Sequence, residues 1–127
     1  MSQQVGVLDI TLKSNCDLSD KQYYLVKCHT TEGEVVLATA LTDVLIGVLQ
    51  NKPETGQAAV IRVLGTSKVK IGEADMSIGD FVTASASGKA IVTTASSAFI
   101  IGTLLETGGS AHIVEMLISR FKGGAAT

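Results

Sequence analysis

The sequence has no tryptophan, a single proline and only 4% aromatic residues, so it is short of the large rings around which cores and aromatic binding sites are commonly built. No apolar run reaches the ~18 residues that a membrane-spanning helix needs. The opening stretch MSQQVGVLDI lacks a basic segment ahead of an apolar core, so no secretory signal is expected. Cysteine is scarce: Cys16 and Cys28 stand twelve apart with no CxxC and no second pair, which fits two free thiols in a reducing compartment. Charge is scarce too. At 17% charged residues and a net charge of −2, no basic field exists to draw in nucleic acid, and neither a nucleic-acid nor a membrane partner is expected.

What remains is small and apolar. Val, Ile, Thr, Ala and Gly dominate, with 46% hydrophobic residues and 13 glycines, a composition that favours short packed strands over long helices. At 127 residues the chain is one domain, large enough to bury roughly two thirds of its unfolded surface without a metal or disulfide staple.

The chain also repeats itself. Displacing it by 55 residues aligns 24–49 with 79–104 without a gap, matching Gly33 with Gly88, Thr39 with Thr94, Ala40 with Ala95, Ile46 with Ile101, Gly47 with Gly102 and Leu49 with Leu104. Val26 falls on Phe81, Val36 on Ile91, Leu37 on Val92 and Val44 on Phe99; after a two-residue gap, Gly56-Gln57-Ala58 lies over Gly109-Ser110-Ala111. Each copy reads as a hairpin, a polar step, a strand broken by glycine (LIGVL or IIGTL), a loop and a further strand. In the first copy Tyr24–His29 is a strand, Thr30–Gly33 a turn and Glu34–Ala38 the return. The second has Phe81–Ala84 and Lys89–Thr93 about Gly88, where the turn calls for positive φ. The last strands are Ala58–Leu64 and Ala111–Ile118, and Ser67–Ile71 alternates as a separate strand between the copies. Gly47 and Gly102, inside strands, mark a bulge, a corner or a close backbone approach. These features predict an all-β fold: a small β-barrel or β-sandwich-like domain built from two similar halves, 24–64 and 79–118, each supplying one side. Closure would remove the sheet edges. Residues 1–13 are an extended N-terminal arm or a first strand, 14–121 the β domain and 122–127 a flexible tail.

Chemistry is hard to find. His29 and His112 stand alone, and adjacent Cys28 and His29 on a strand point to opposite faces, so they form no catalytic dyad. The carboxylates of Glu32, Glu34, Glu54, Glu73, Asp75 and Asp80 fall mostly in turns; Glu73-x-Asp75 lacks the further oxygen ligands of a calcium loop. Gly102…Gly108-Gly109 has neither the spacing nor the following helix of a phosphate-binding loop. Thr83–Gly88 reads as a hairpin tip, not a nucleophile elbow. No catalytic, cofactor or metal residues are assigned, and a binding or structural module is expected.

The pieces Ile78-Gly79-Asp80-Phe81-Val82, Gly88-Lys89-Ala90, Thr94-Ala95, Ile101-Gly102-Thr103-Leu104 and Ala111-His112-Ile113-Val114 resemble, in this order, the capsid decoration (cement) proteins of tailed bacteriophages. The resemblance spans residues 24–118. It implies a compact β fold without enzyme activity that binds the major capsid protein on the outside of a mature phage head, as a homotrimer, and is assembled in the host cytoplasm. Contacts are expected from projecting segments: Met1, Ser2, Gln3, Gln4 and Val5 within an arm reaching Leu12, then Lys52, Pro53 and Glu54, and Glu106 and Thr107. The two loops should share one end of the barrel or be related by its pseudo-symmetry. Gly33, Gly47, Gly88 and Gly102 are assigned structural roles. Two other readings compete. A biotinyl or lipoyl carrier is also a doubled β fold, but Gly72–Ser77, where the modified lysine would stand, has no lysine. A bacterial self-assembling or adhesive β domain remains the stronger rival.

Overall fold

The computed structural model describes residues 6–41, 43–72, 76–92, 99–108 and 113–122. Among them there is no helix, and the strands are β1 (Gly6–Ser14), β2 (Leu25–Cys28), β3 (Glu34–Leu37), β4 (Leu45–Leu49), β5 (Ala58–Lys70), β6 (Phe81–Ala84), β7 (Ala90–Val92), β8 (Phe99–Leu104) and β9 (Ile113–Lys122). The all-β expectation is met. Met1–Val5, Glu73, Asp75, Thr93–Ala98, Gly109–His112 and the residues after Lys122 lie outside the described residues.

β1, β3, β2, β4 and the first part of β5 close into a five-stranded barrel. β1 runs parallel to β3 through Lys13↔Glu34 and Ser14↔Val35, and antiparallel to β5 from Lys13↔Ala58 to Leu8↔Leu64. Of the two readings of this segment, arm or first strand, Gly6–Ser14 is the strand, so any arm ends before Gly6 and does not reach Leu12. The alternation Ile10-x-Leu12 against Ala59-x-Ile61 turns one row of apolar side chains inward on both strands, so closing the barrel is how this segment buries its apolar half. The separate strands Ala58–Leu64 and Ser67–Ile71 are also corrected: they are one strand of 13 residues. Gly65, at φ +104°, passes through its middle in a conformation that side-chain-bearing residues rarely adopt.

The remaining strands retrace the same circuit from the far part of β5. β5 pairs with β9, β9 with β8, β8 with β6 and β6 with β7. A parallel bridge from Ala90 to Ile71 leads back to the end of β5. β5 is thus the last strand of the first circuit and the first strand of the second. Each half runs its own circuit, where the sequence suggested that each supplied one side of a common barrel. The repeat is visible bond by bond. Gln50 N–H donates to Val60 O as Leu105 N–H does to Glu115 O, and Leu18 N–H donates to Pro53 O as Met76 N–H does to Gly108 O. Two details of the alignment shift. The bonds from Gln50 to Val60 and from Leu105 to Glu115 keep the displacement at 55, so Ala58 corresponds to Ile113 and not to Ala111, and no two-residue gap is needed. Cys28↔Val35 closes the first hairpin and Ala84↔Ala90 the second, whose loop is shorter by one residue, so Val26 corresponds to Val82 and not to Phe81.

Two apolar clusters result. Ile46, Leu49, Ala59, Ile61, Val26 and Val35 fill the first barrel. The second cluster holds Ile101, Leu104, Val114, Met116 and Ile118, together with Leu25, Leu45 and Val48 from the outside of the first barrel. The halves are thus packed through a shared core. The join has a strained latch: Tyr23, at φ +71°, donates its N–H to Leu49 O at 2.8 Å and accepts from Lys70 N–H at 2.9 Å. The corresponding bond in the second half, to Leu104 O, is made by Gly79 at φ +89°. A Cβ on Gly47 would fall onto the carbonyl oxygen of Arg62, and one on Gly102 onto that of Leu117, which explains why both strands break at glycine.

Candidate contact surface

Among the described residues there is no cavity and no group of three His, Cys, Asp or Glu side chains placed to hold a metal. His29 is committed to its own turn: its Nδ1 accepts the Thr31 N–H at 3.1 Å and lies 3.9 Å from Glu34 Oε1, which accepts Asn15 Nδ2–H at 2.7 Å. Cys28 is exposed and Cys16 half-buried, both free thiols. The arrangement can hold a surface in shape. It does not converge reactive groups on a point.

The loop 50–57 is pinned to the segment after β1. Leu18 N–H donates to Pro53 O, Ser14 N–H to Gln57 O and Gly56 N–H to Ser14 O, each at 2.9 Å. Pro53 is buried by this docking, while Lys52 and Glu54 stand outward on either side of it. In the second loop Glu106 is half-buried and its Oε1 accepts the Glu115 N–H at 2.9 Å, so this carboxylate holds the β8–β9 turn; Thr107 is exposed. Of the loop candidates, Lys52, Glu54 and Thr107 expose their side chains, and Pro53 and Glu106 are held by contacts within the fold. Met1–Val5 lie outside the described residues.

The loops do not share one end. The first leads into Ala58, at the start of β5, and the second into Ile113, which pairs with Lys70 at its other end. A strand of 13 residues makes that separation about 40 Å. The pseudo-symmetric alternative is the one the topology realises, because the shared strand is used in opposite roles by the two circuits.

Between the loops, the outward face of β5 carries an ion pair. Arg62 Nε donates to Asp9 Oδ1 at 2.8 Å and Nη2 to Oδ2 at 3.1 Å. This two-pronged hydrogen bond lowers the Asp9 pKa against a smaller opposing effect of burial, and raises that of Arg62. A second pair steadies the polar step after β3. Burial of Asp43 pushes its carboxyl upward, but N–H groups of Thr39 and Ala40 and the Lys27 ammonium outweigh it and leave the pKa lowered.

The sequence reading singled out none of the outward-facing apolar residues around these pairs. Their signal was present in β9, where Ile113 and Leu117 share the face of Glu115, opposite the inward Val114 and Met116.

Comparison with known proteins adds to this geometry. Residues 3–118 match the family model described as phage cement protein. Among solved structures, the head fiber gp8.5 N base in bacteriophage phi29 is similar, with a TM-score of 0.69 at 20% identity over 91% of this chain and 96% of that one. At that identity the likeness shows the fold. No curated protein sequence matches the chain significantly.

Proposed function

The chain belongs to the phage cement protein family, and from that premise we propose that it decorates the outside of a mature phage head and stabilises it against the pressure of packaged DNA. It is a structural protein of the phage head and a component of the virion. In the proposed role it grips the major capsid protein as a homotrimer, after assembly in the host cytoplasm, and performs no catalysis. The family match over 3–118 carries the reading, and the likeness to a head fiber base supports it.

The physics of such a role is simple. A protein that binds the closed lattice and not its separated parts raises the cost of opening it, by mass action. Each copy needs only modest affinity, since three linked sites gain avidity on the order of 10²–10⁴-fold. The low net charge keeps the protein from competing for the genome. The grip is assigned to Met1–Val5, to Lys52 with Glu54, and to Thr107. If both loops grip, their placement at opposite ends of β5 requires a long footprint across a seam between capsid subunits.

The test is to heat or osmotically shock filled heads with and without saturating protein and to measure DNA release. Reduced release is expected; equal release refutes the function. Deleting Met1–Val5 should weaken head binding while leaving the melt of the free protein unchanged, because β1 begins after the deletion at Gly6.

A further inference from the structure

Among the described residues, the exposed large apolar side chains are Leu8, Val44, Leu64, Ile78, Val92, Leu105, Ile113 and Leu117. Strand register and backbone bonds bring six of these eight together along β1, β5, β9 and β8. Leu8 pairs with Leu64 across β1 and β5, on the outward side of the Asp9–Arg62 pair. Two residues on, Thr66 pairs with Leu117 of β9, and Leu117 also pairs with Thr103 of β8. Ile113 follows Leu117 at even spacing along β9, Leu105 bonds to Glu115 between them, and the Gly79 bond to Leu104 seats Ile78 at the end of β8. The result is a continuous outer sheet face from β1 through β5 and β9 to β8.

The repeat says what this face is. The bonds that equate the two halves place Ile78 at the position of Gln22, Leu105 at that of Gln50, Ile113 at that of Ala58 and Leu117 at that of Arg62. In the first half this surface is met by the chain's own second half. Gln50 Nε2 donates to Ser67 Oγ at 2.8 Å, Tyr23 bonds Lys70, and Leu25 and Val48 are wholly buried in the shared core. Among the described residues, no further circuit covers the corresponding surface of the second half. Phe81 and Thr103, which stand where Leu25 and Val48 stood, are only half-covered, and the rim has changed from glutamine, alanine and arginine to isoleucine and leucine.

We infer that this β1–β5–β9–β8 face is the surface through which one copy of the chain binds another. The inference rests on the self-association part of the function proposed above and names its site. The six side chains together offer on the order of 500 Å² of apolar surface, near the top of the range for the largest patch on a monomer and over half of what one partner buries in a standard interface. The charge beside Leu8 and Leu64, Asp9 with Arg62, is already neutralised within the chain, while Lys68 and Lys70, opposite Glu115 and Ile113 on the same side, must be turned away from their counterparts in a second copy. Burying the face against its own kind repeats between molecules what the two halves do within one.

Sedimentation of the free full chain across the micromolar to millimolar range tests this. Ile78→Glu and Leu64→Glu alter the two most exposed members, 67% and 53% accessible, and should leave the thermal melt of the monomer intact. Each should weaken self-association by at least about tenfold, as loss of an interface anchor does. Val44→Glu, exposed but off this face, should not. A wild-type chain that stays monomeric throughout, or variants that associate as the wild type does, overturns the inference. Cosedimentation with filled heads separates it from the function. Variants that assemble normally but no longer bind heads would give the face to the capsid and overturn the inference while leaving the function intact. Wild-type assembly through this face with no head binding would leave the inference standing and refute the function.

Discussion

Substituting alanine at Gly47 asks a single question of the fold: how closely do β4 and β5 approach? A Cβ there would overlap the Arg62 carbonyl oxygen and press on Ile61 Cγ2. Neither the oxygen nor the strand carrying it can rotate away, because Val48↔Arg62 and Leu49↔Ile61 hold the two backbones in register. β4 must therefore lift off β5. Two ladder hydrogen bonds lost in a buried setting cost about 2–4 kcal/mol, from about 1–2 for each. Gly79→Ala is the internal control: its φ of +89° imposes left-handed strain of about 1 kcal/mol, but a Cβ there meets nothing. For a domain between the calibrated size classes, 1 kcal/mol moves Tm by about 4 °C. The expected drops are thus about 8–16 °C for Gly47→Ala and about 4 °C for Gly79→Ala, read by circular dichroism or calorimetry. Gly102→Ala, directed at the Leu117 carbonyl, should behave like Gly47→Ala. A Gly47→Ala protein that melts within a degree or two of wild type would refute the close-approach argument and the equivalence built on it.

Gly33 and Gly88 share their turn conformation at φ +77° and +80°, but only Gly88 lies against Leu37 and the Ala38 carbonyl. Alanine should cost about 1 kcal/mol at Gly33 and clearly more at Gly88, as denaturant titrations of the two variants would show. At Tyr23 the usual order of small residues should invert: Tyr23→Gly should be more stable than Tyr23→Ala by about 1 kcal/mol, since only glycine occupies φ +71° without strain. Equal melts would mean that the strain is not there. Asp9 has its pKa lowered by the Arg62 hydrogen bonds, so its contribution is complete above the unfolded carboxylate value of about 4 and disappears as pH falls through the folded value. Asp9→Asn should therefore flatten the fall in Tm below about pH 4 and leave its slope near pH 7 unchanged; an unaltered acid limb would count against the pair.

How far the sequence revealed all this depends on what each residue does. Gly47 and Gly102 were legible because backbone crowding admits nothing else, whatever surrounds it. The hairpin offset was not: a one-residue difference between the loops after Cys28 and Ala84 is invisible to a gapless displacement. Leu64-Gly65-Thr66 read as an interruption, since glycine usually ends or bends a strand; here it lets one strand run through the join. The alternation of Val5–Leu12 could not decide between arm and barrel strand, because both need an apolar row. In the candidate site, Glu106 was offered only as a loop contact; that its carboxylate also accepts from a backbone amide nine positions away is something no side-chain pattern announces. Pro53 is similar: its carbonyl, not its ring, makes the bond that pins the loop.

β5 has one more consequence. Because a single strand serves both circuits, doubling a five-stranded plan gives nine strands and not ten among the described residues. The chain cannot be divided into two working modules. A cut at Gly65 deprives one circuit of its closing strand or the other of its opening one, leaving unpaired backbone either way. Melting should accordingly be one event for the whole molecule, with neither half able to come loose while the other stays folded. For the proposed clamp on a pressurised head, that removes the weakest link a duplicated protein would ordinarily contain, the joint between its copies.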